Sequence, residues 1–138
     1  MDKSIQFCFT HPSGKDIYLY SLRNINKTEV LISNYGSIIM AYKIYMPDGT
    51  SNDIVLGFDN IQDYLGADYL KVYPFMGAAI GRYANRIENA CFKIDNKEFP
   101  VSKNWDTDQL HGGFEGFDKK VWDFVSFDEK CNILQLRY

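Results

Sequence analysis

Apolar residues along this chain fall in short runs, many of them alternating with polar positions, and turn-forming residues separate the runs at close spacing. "SIQFCFT" (4–10) gives way to "HPSGK", where Pro12, Ser13 and Gly14 mark a tight turn. "DIYLYSLRN" (16–24) and "TEVLISN" (28–34) follow, the second closed by Asn34 and Gly36. "SIIMAYKIYM" (37–46) is a long apolar strand ended by "PDGT", where Pro47 pre-sets φ and Gly49 completes a type I turn. "NDIVLGF" (52–58) reads as the next strand. The helical candidate is "NIQDYLGADYL" (60–70), short and ending near Gly66, with Asn60 as its cap and Ile61, Tyr64 and Leu65 on one face. "ACFKIDNKEFPV" (90–101) reads as a hairpin turning at Asp95-Asn96, two residues that tolerate the positive φ of a type I′ turn. "VWDFVSF" (121–127) and "NILQLRY" (132–138) are the last strands. Many short strands with little helix predict an all-β fold, an antiparallel sandwich or barrel, in one domain spanning residues 1–138.

"NILQLRY" stops inside a strand, with no turn after Tyr138. Unpaired strand edges there would need cover, so two or more copies are expected to associate, or a complementing chain to dock.

Composition narrows the partners. The net charge is -3 and neither sign clusters, the longest basic run being Lys119-Lys120. A nucleic-acid surface needs a concentrated basic patch, so nucleic acid is not an expected partner. No window is long and apolar enough to span a bilayer as a helix, and "MDKSIQFCFTHPSGK" lacks the apolar run of a signal peptide. Cys8, Cys91 and Cys131 are odd in number, widely spaced and form no CxxC pair. They read as thiols in a reducing compartment, and a cytoplasmic location is expected. Aromatic residues make up 16% of the chain. A β-rich core accounts for them, since aromatics suit half-buried pleated surfaces. Sugar binding is the sharper alternative, because aromatic faces pack against the C–H faces of pyranose rings.

Two stretches carry candidate chemistry. "GAAIGRYANRIENA" (77–90) is glycine-containing but is neither GxGxxG nor a P-loop, so no nucleotide cofactor is expected. Arg86 lies within it beside Asn85. It is either a surface arginine paired with Glu88 or another acid, or a guanidinium fork aimed at vicinal hydroxyls or a carboxylate. "LHGGFEGFDKKVW" (110–122) sets His111 before two adjacent glycines, which permit close backbone approach to a ligand. His111 is either a hydrogen-bonded structural histidine at a strand end or a ligand-facing one. His11 reads as a solvated turn residue, and Asp106, Asp108, Glu115 and Asp118 read as turn solvators. No spacing suggests a metal site, and no Ser or Cys stands in a nucleophile elbow.

Together, "NYGSIIMAYKIYMPDGTSNDIVLGF" (34–58), "NDIVLGFDNIQDYL" (52–65), "GRYANRI" (81–87) and "LHGGFEGFDKKVW" resemble the aldose 1-epimerases, or galactose mutarotases, over most of the chain from about Gly14. The resemblance implies an antiparallel β-sandwich, part of a galactose mutarotase-like supersandwich, with a sugar cleft across one face. It implies that Asn85 and Arg86 contact sugar hydroxyls and that His111 lies against the sugar and assists the acid–base step. Arg86 and His111 are expected on one concave surface. The substrate class implied is an aldohexose such as galactose or glucose, with no metal or other cofactor. Members of the family are more than twice this length, and the residues serving as principal acid and base match nothing among these 138. The chain alone is therefore expected to be nearly inactive. The alternatives are a non-catalytic carbohydrate-binding or self-associating module, and a truncated fragment.

Overall fold

The computed structural model describes residues 4–138. Its frame is a five-stranded antiparallel meander: β1 (Ile5–Thr10), β2 (Asp16–Arg23), β3 (Glu29–Ser33), β4 (Ile39–Tyr45) and β5 (Ser51–Asp53), in that spatial order. The links are short, and the first and fourth are the turns read from the sequence. At the first, the Gly14 amide donates to the His11 carbonyl at 2.8 Å, and at the fourth the Gly49 amide donates to Met46 at 3.0 Å.

Two bulges decide which side chains reach the core. In β1 the register passes from Phe7 opposite Tyr18 to Phe9 opposite Ile17, so Cys8 is the extra residue. Strict alternation would put Phe7 and Phe9 on one face; the bulge turns Phe9 toward the face of the fully buried Ile17 and leaves Phe7 on the other. In β4 the register skips Met40, and Met40 and Ala41 are buried side by side.

The core face is covered by the segment after β5. Asn60 accepts from the Gln62 amide at 3.0 Å and caps a 3₁₀ turn over Ile61–Leu65, whose Ile61 and Tyr64 are buried. The helical segment ends at Gly66, as expected, where the backbone is extended (φ -65°, ψ 142°), and a second short helix, α1 (Ala67–Val72), follows it. Ile17, Leu19, Tyr35, Ile38, Met40, Ile61, Tyr64, Tyr69 and Val121 form one buried cluster.

The expected strand over 52–58 ends at Asp53 instead. The Asp53 carboxylate accepts from the amides of Tyr42 (2.9 Å) and Val55 (3.0 Å), taking the place of ladder bonds. Beyond it the chain turns in, and the Phe58 amide donates to the buried Tyr64 hydroxyl at 3.1 Å. A Cβ on Gly57 would run into that hydroxyl, so glycine is required there.

Three ribbons complete the structure. β6 (Arg86–Ile87) pairs with β9 (Gln109–Leu110), and β7 (Cys91–Ile94) pairs with β8 (Lys97–Pro100). The β7–β8 turn places Asp95 and Asn96 at φ 48° and 64°, as the type I′ reading required. β10 (Asp123–Asp128) pairs with β11 (Ile133–Arg137), and Phe124 stacks on Tyr20 of the meander with ring centroids 5.7 Å apart. Buried Asn34 ties the meander to this part of the chain: Oδ1 accepts from the Tyr18 amide (2.8 Å), and Nδ2 donates to the carbonyls of Asp16 (3.0 Å) and Trp122 (3.4 Å).

Candidate functional site

The hairpin β7–β8 returns the chain so that β9 lies against β6, with Leu110 opposite Arg86. One residue further, the ladder gives way to a reciprocal clasp. The His111 amide donates to the Asn85 carbonyl at 3.0 Å, and the Asn85 amide donates to Nδ1 of the His111 ring, also at 3.0 Å. The clasp requires both residues to leave extended backbone, and Asn85 and His111 stand at φ 67° and 50°. Asn104 secures β9: it donates from Nδ2 to the Leu110 carbonyl (2.9 Å) and accepts from the Leu110 amide at Oδ1 (2.7 Å), as a neighbouring strand would. The carboxylate of Asp108, expected to solvate a turn, instead accepts from the Asn89 amide at 2.9 Å.

The clasp defines the state of His111. A backbone amide can only donate, so Nδ1 is an acceptor and the neutral ring carries its proton on Nε2. That nitrogen has no hydrogen-bond partner among the described residues, leaving an N–H free to donate to an oxygen. The glycines after His111 make the bend possible: Gly112 (φ 87°) and Gly113 (φ 79°) both lie in the left-handed region. A Cβ on Gly112 would strike the Gly81 carbonyl oxygen.

Arg86 donates from its guanidinium to Asn85 Oδ1 at 3.1 Å and lies 5.7 Å from the centroid of the exposed Trp105 ring. It forms no ion pair with Glu88 or any other acid among the described residues. Asn85, Arg86 and His111 are therefore brought together, with two donors and an exposed aromatic face beside them. They do not share one cavity wall. A cavity of about 860 Å³ is lined by Arg82, Arg86, Gly112, Glu115, Phe117 and Tyr138 among others, and of the three residues only Arg86 reaches it. His111 instead meets Phe75 edge to face, with centroids 4.8 Å apart.

Two expectations fail nearby. His11 is stacked on the buried Tyr35 ring at 5.4 Å and accepts from the Ser13 amide at 3.1 Å; desolvation lowers its pKa from the ordinary histidine value. Asp118 is no turn solvator: its side chain is fully buried. Its Oδ2 accepts from the Tyr73 hydroxyl and the Lys119 ammonium, each at 2.5 Å, while Oδ1 has no partner among the described residues. Burial and the adjacent Asp118 carboxylate push the Tyr73 phenol far above its usual range, so it stays protonated and donates. Glu115 behaves as expected of an exposed acid, ion-paired with Lys120, whose hydrogen bond and charge lower the Glu115 pKa.

Sequence reasoning missed Tyr73, Phe75 and Trp105, the rings around the clasp. A buried carboxylate leaves no mark in hydrophobic periodicity, and the "LKVYPFMG" stretch shows only its aromatic residues. Among the described residues no three His, Cys, Asp or Glu side chains gather as a metal site needs. No described helix is long and apolar enough to cross a membrane.

Comparison with known proteins gives this geometry its setting. The galactose mutarotase of Pongo abelii is 42% identical over 91 residues, 66% of this chain and 25% of that protein. The aldose 1-epimerase of Escherichia coli K12 is 34% identical over 125 residues, 91% of this chain and 35% of that protein. The solved galactose 1-epimerase of Lactobacillus acidophilus superposes with a TM-score of 0.71 at 27% identity, covering 90% of this chain and 35% of that one. An aldose epimerase homologue from C. elegans gives 0.71 at 26% identity, with coverage of 80% and 33%. The chain thus spans about a quarter to a third of the length of the relatives it matches. The family model described as aldose 1-epimerase matches residues 18–138, a span that holds the clasp and the strands from β3 to β11, and the chain belongs to the aldose 1-epimerase family.

Proposed function

We propose that this chain carries a sugar-contacting part of an aldose 1-epimerase site and binds an aldohexose such as galactose or glucose at Asn85, Arg86 and His111. The observation that carries the reading is the Asn85–His111 clasp, which leaves Nε2–H of His111 free to donate, while Arg86, which forms no ion pair among the described residues, is bonded to Asn85 Oδ1 of the same clasp. A guanidinium suits vicinal hydroxyls through parallel N–H donors. The exposed Trp105 ring offers an apolar face to a pyranose.

The reaction interconverts α and β anomers. An acid protonates the ring oxygen while a base takes the proton of the anomeric hydroxyl, and the C1–O5 bond opens to the free aldehyde. Rotation about C1–C2 and closure on the other face invert C1. Each proton-transfer group typically contributes on the order of 10²–10⁴-fold. His111, with Nδ1 engaged, is auxiliary: its Nε2–H donates a hydrogen bond to a sugar oxygen and so assists the acid–base step. Of the nearby carboxylates, Asp118 is buried and Glu115 is held by Lys120, and none of the described ones stands in a motif that marks it as the base.

The chain by itself is accordingly a binder with little mutarotase activity, completed by a second copy or a complementing chain. The exposed Phe7, Tyr42 and Ile44, on the meander away from the core, support such an association. The proposal places it in the cytoplasm, where its free thiols stay reduced. The test is polarimetry on freshly dissolved α-D-galactose, using chain whose mass in solution is known from sedimentation. Expected are a buffer-like rate and galactose-dependent NMR shifts at His111 with millimolar-range affinity, about -4 kcal/mol. A rate many-fold above buffer that His111→Ala abolishes would overturn the inactive reading. Absence of any shift at His111 would overturn the sugar site.

A further inference from the structure

Among the described residues Asp118 is the one fully buried carboxylate beside the candidate site, and the sugar-binding reading leaves it without a task. Its negative charge is matched by Lys119 Nζ and by the Tyr73 hydroxyl, each at 2.5 Å. A buried carboxylate deprived of its cation is costly, so Lys119 has little freedom to swing into solvent. Held there, its ammonium lies 4.2 Å from the Tyr73 ring centroid and 5.5 Å from that of Phe75. Both lie within cation–π range.

Phe75 needs such support. It stands at φ 55°, a left-handed conformation rare for a bulky residue and kept only where surroundings hold it. Its ring is gripped by Tyr73 at 4.5 Å and Lys119 on one hand and by His111 at 4.8 Å on the other. The line of contacts runs unbroken from the buried charge to the histidine ring.

We propose that Lys119, anchored by Asp118, is a positioning residue for His111: it seats Phe75 against the imidazole and so keeps Nδ1 on the Asn85 amide and Nε2–H directed outward. The role in sugar recognition rests on the sugar-site reading above, whereas the hold on the ring does not. Lys119 touches no sugar atom in this scheme.

The experiment is ¹⁵N NMR of the His111 ring in the full 138-residue chain without sugar. Wild type is expected to show one tautomer, Nε2–H, with ring protons shifted by the Phe75 edge. Lys119→Met removes the charge and is expected to lose the fixed tautomer, giving averaged ring nitrogens. Lys119→Arg keeps the charge and the ring contact and is expected to restore the wild-type pattern. Phe75→Leu, which leaves the Asp118–Lys119 pair in place, is expected to release His111 as Lys119→Met does. The backbone amide spectrum of each variant reports whether it is folded. A fixed Nε2–H tautomer in folded Lys119→Met or in folded Phe75→Leu overturns the proposal, as does an Arg variant no better than Met. Galactose titration of the same samples reads the sugar site separately: a wild-type ring that ignores galactose sinks that reading, while the ring pattern across the variants still decides this one.

Discussion

Replacing Gly112 by alanine adds one methyl group where the backbone leaves no room for it. Gly112 stands at φ 87°, ψ 2°, and any L-residue there bears a left-handed penalty of roughly 1–2 kcal/mol. Part is offset, by about 0.4–1 kcal/mol, because alanine has less conformational freedom than glycine in the unfolded chain. The larger effect is steric. The new Cβ would meet the carbonyl oxygen of Gly81, which already accepts from the Phe117 amide at 3.1 Å. Displacing that carbonyl adds a packing strain of about 1–3 kcal/mol and weakens a hydrogen bond worth about 1 kcal/mol. The expected loss is therefore roughly 2–4 kcal/mol. Gly14 supplies the control, since it stands at a similar φ of 83° with nothing within 4 Å of a built Cβ. Gly14→Ala bears the backbone term alone, roughly 1 kcal/mol or less. Urea unfolding followed by circular dichroism measures both, and a shift in midpoint at constant slope reports stability. For a chain of this size the two variants should differ by roughly 5–12 °C in Tm. Equal losses at the two glycines would refute the close approach of Gly112 to Gly81, and with it the explanation of why His111 is followed by a glycine.

Two further outcomes test the frame that holds the site. Burial, with added repulsion from Asp118 and Tyr69, pushes the Tyr35 phenol from its ordinary 10.0 up to about 12. The folded value lies above the unfolded one, so this contribution is whole below about pH 10 and is lost as pH rises toward 12; two units amount to about 2–3 kcal/mol. Alkaline titration followed by tyrosinate absorbance and circular dichroism should show unfolding beginning near pH 10, and Tyr35→Phe should move that midpoint upward; an unchanged midpoint would count against it. Asn34→Ala strips partners from the Tyr18 amide and the Asp16 and Trp122 carbonyls, with an expected loss of roughly 2–4 kcal/mol and faster hydrogen exchange at the Tyr18 amide. An unaltered Tyr18 exchange rate would contradict that role.

Local pattern alone determined a good deal of this protein. Strand positions, the Asn60 cap, the turn at Gly14 and the Asp95-Asn96 hairpin follow from residues within a few positions of one another, where backbone preference and period-two burial operate. The sequence also drew attention to Arg86 and to His111 before its two glycines, but the sugar-contacting reading of both, and of Asn85, came from the family resemblance of "GRYANRI" and "LHGGFEGFDKKVW". The end of β5 at Asp53 and the second helix after Gly66 were not legible in the same way. Each depends on a partner from another element: Asp53 takes the Tyr42 amide of β4, and the pieces on either side of Gly66 each set tyrosines into the aromatic cluster against the sheet. The two bulges likewise rest on cross-strand register, which no single strand specifies. Tertiary structure alone decided the charge chemistry. Asp118 reads as one more turn carboxylate until the fold encloses it with Tyr73 and Lys119, and His111 reads as ambiguous until the Asn85 amide reaches its Nδ1. Burial and hydrogen-bond direction belong to pairs of residues brought together across the chain, so no pattern along it contains them.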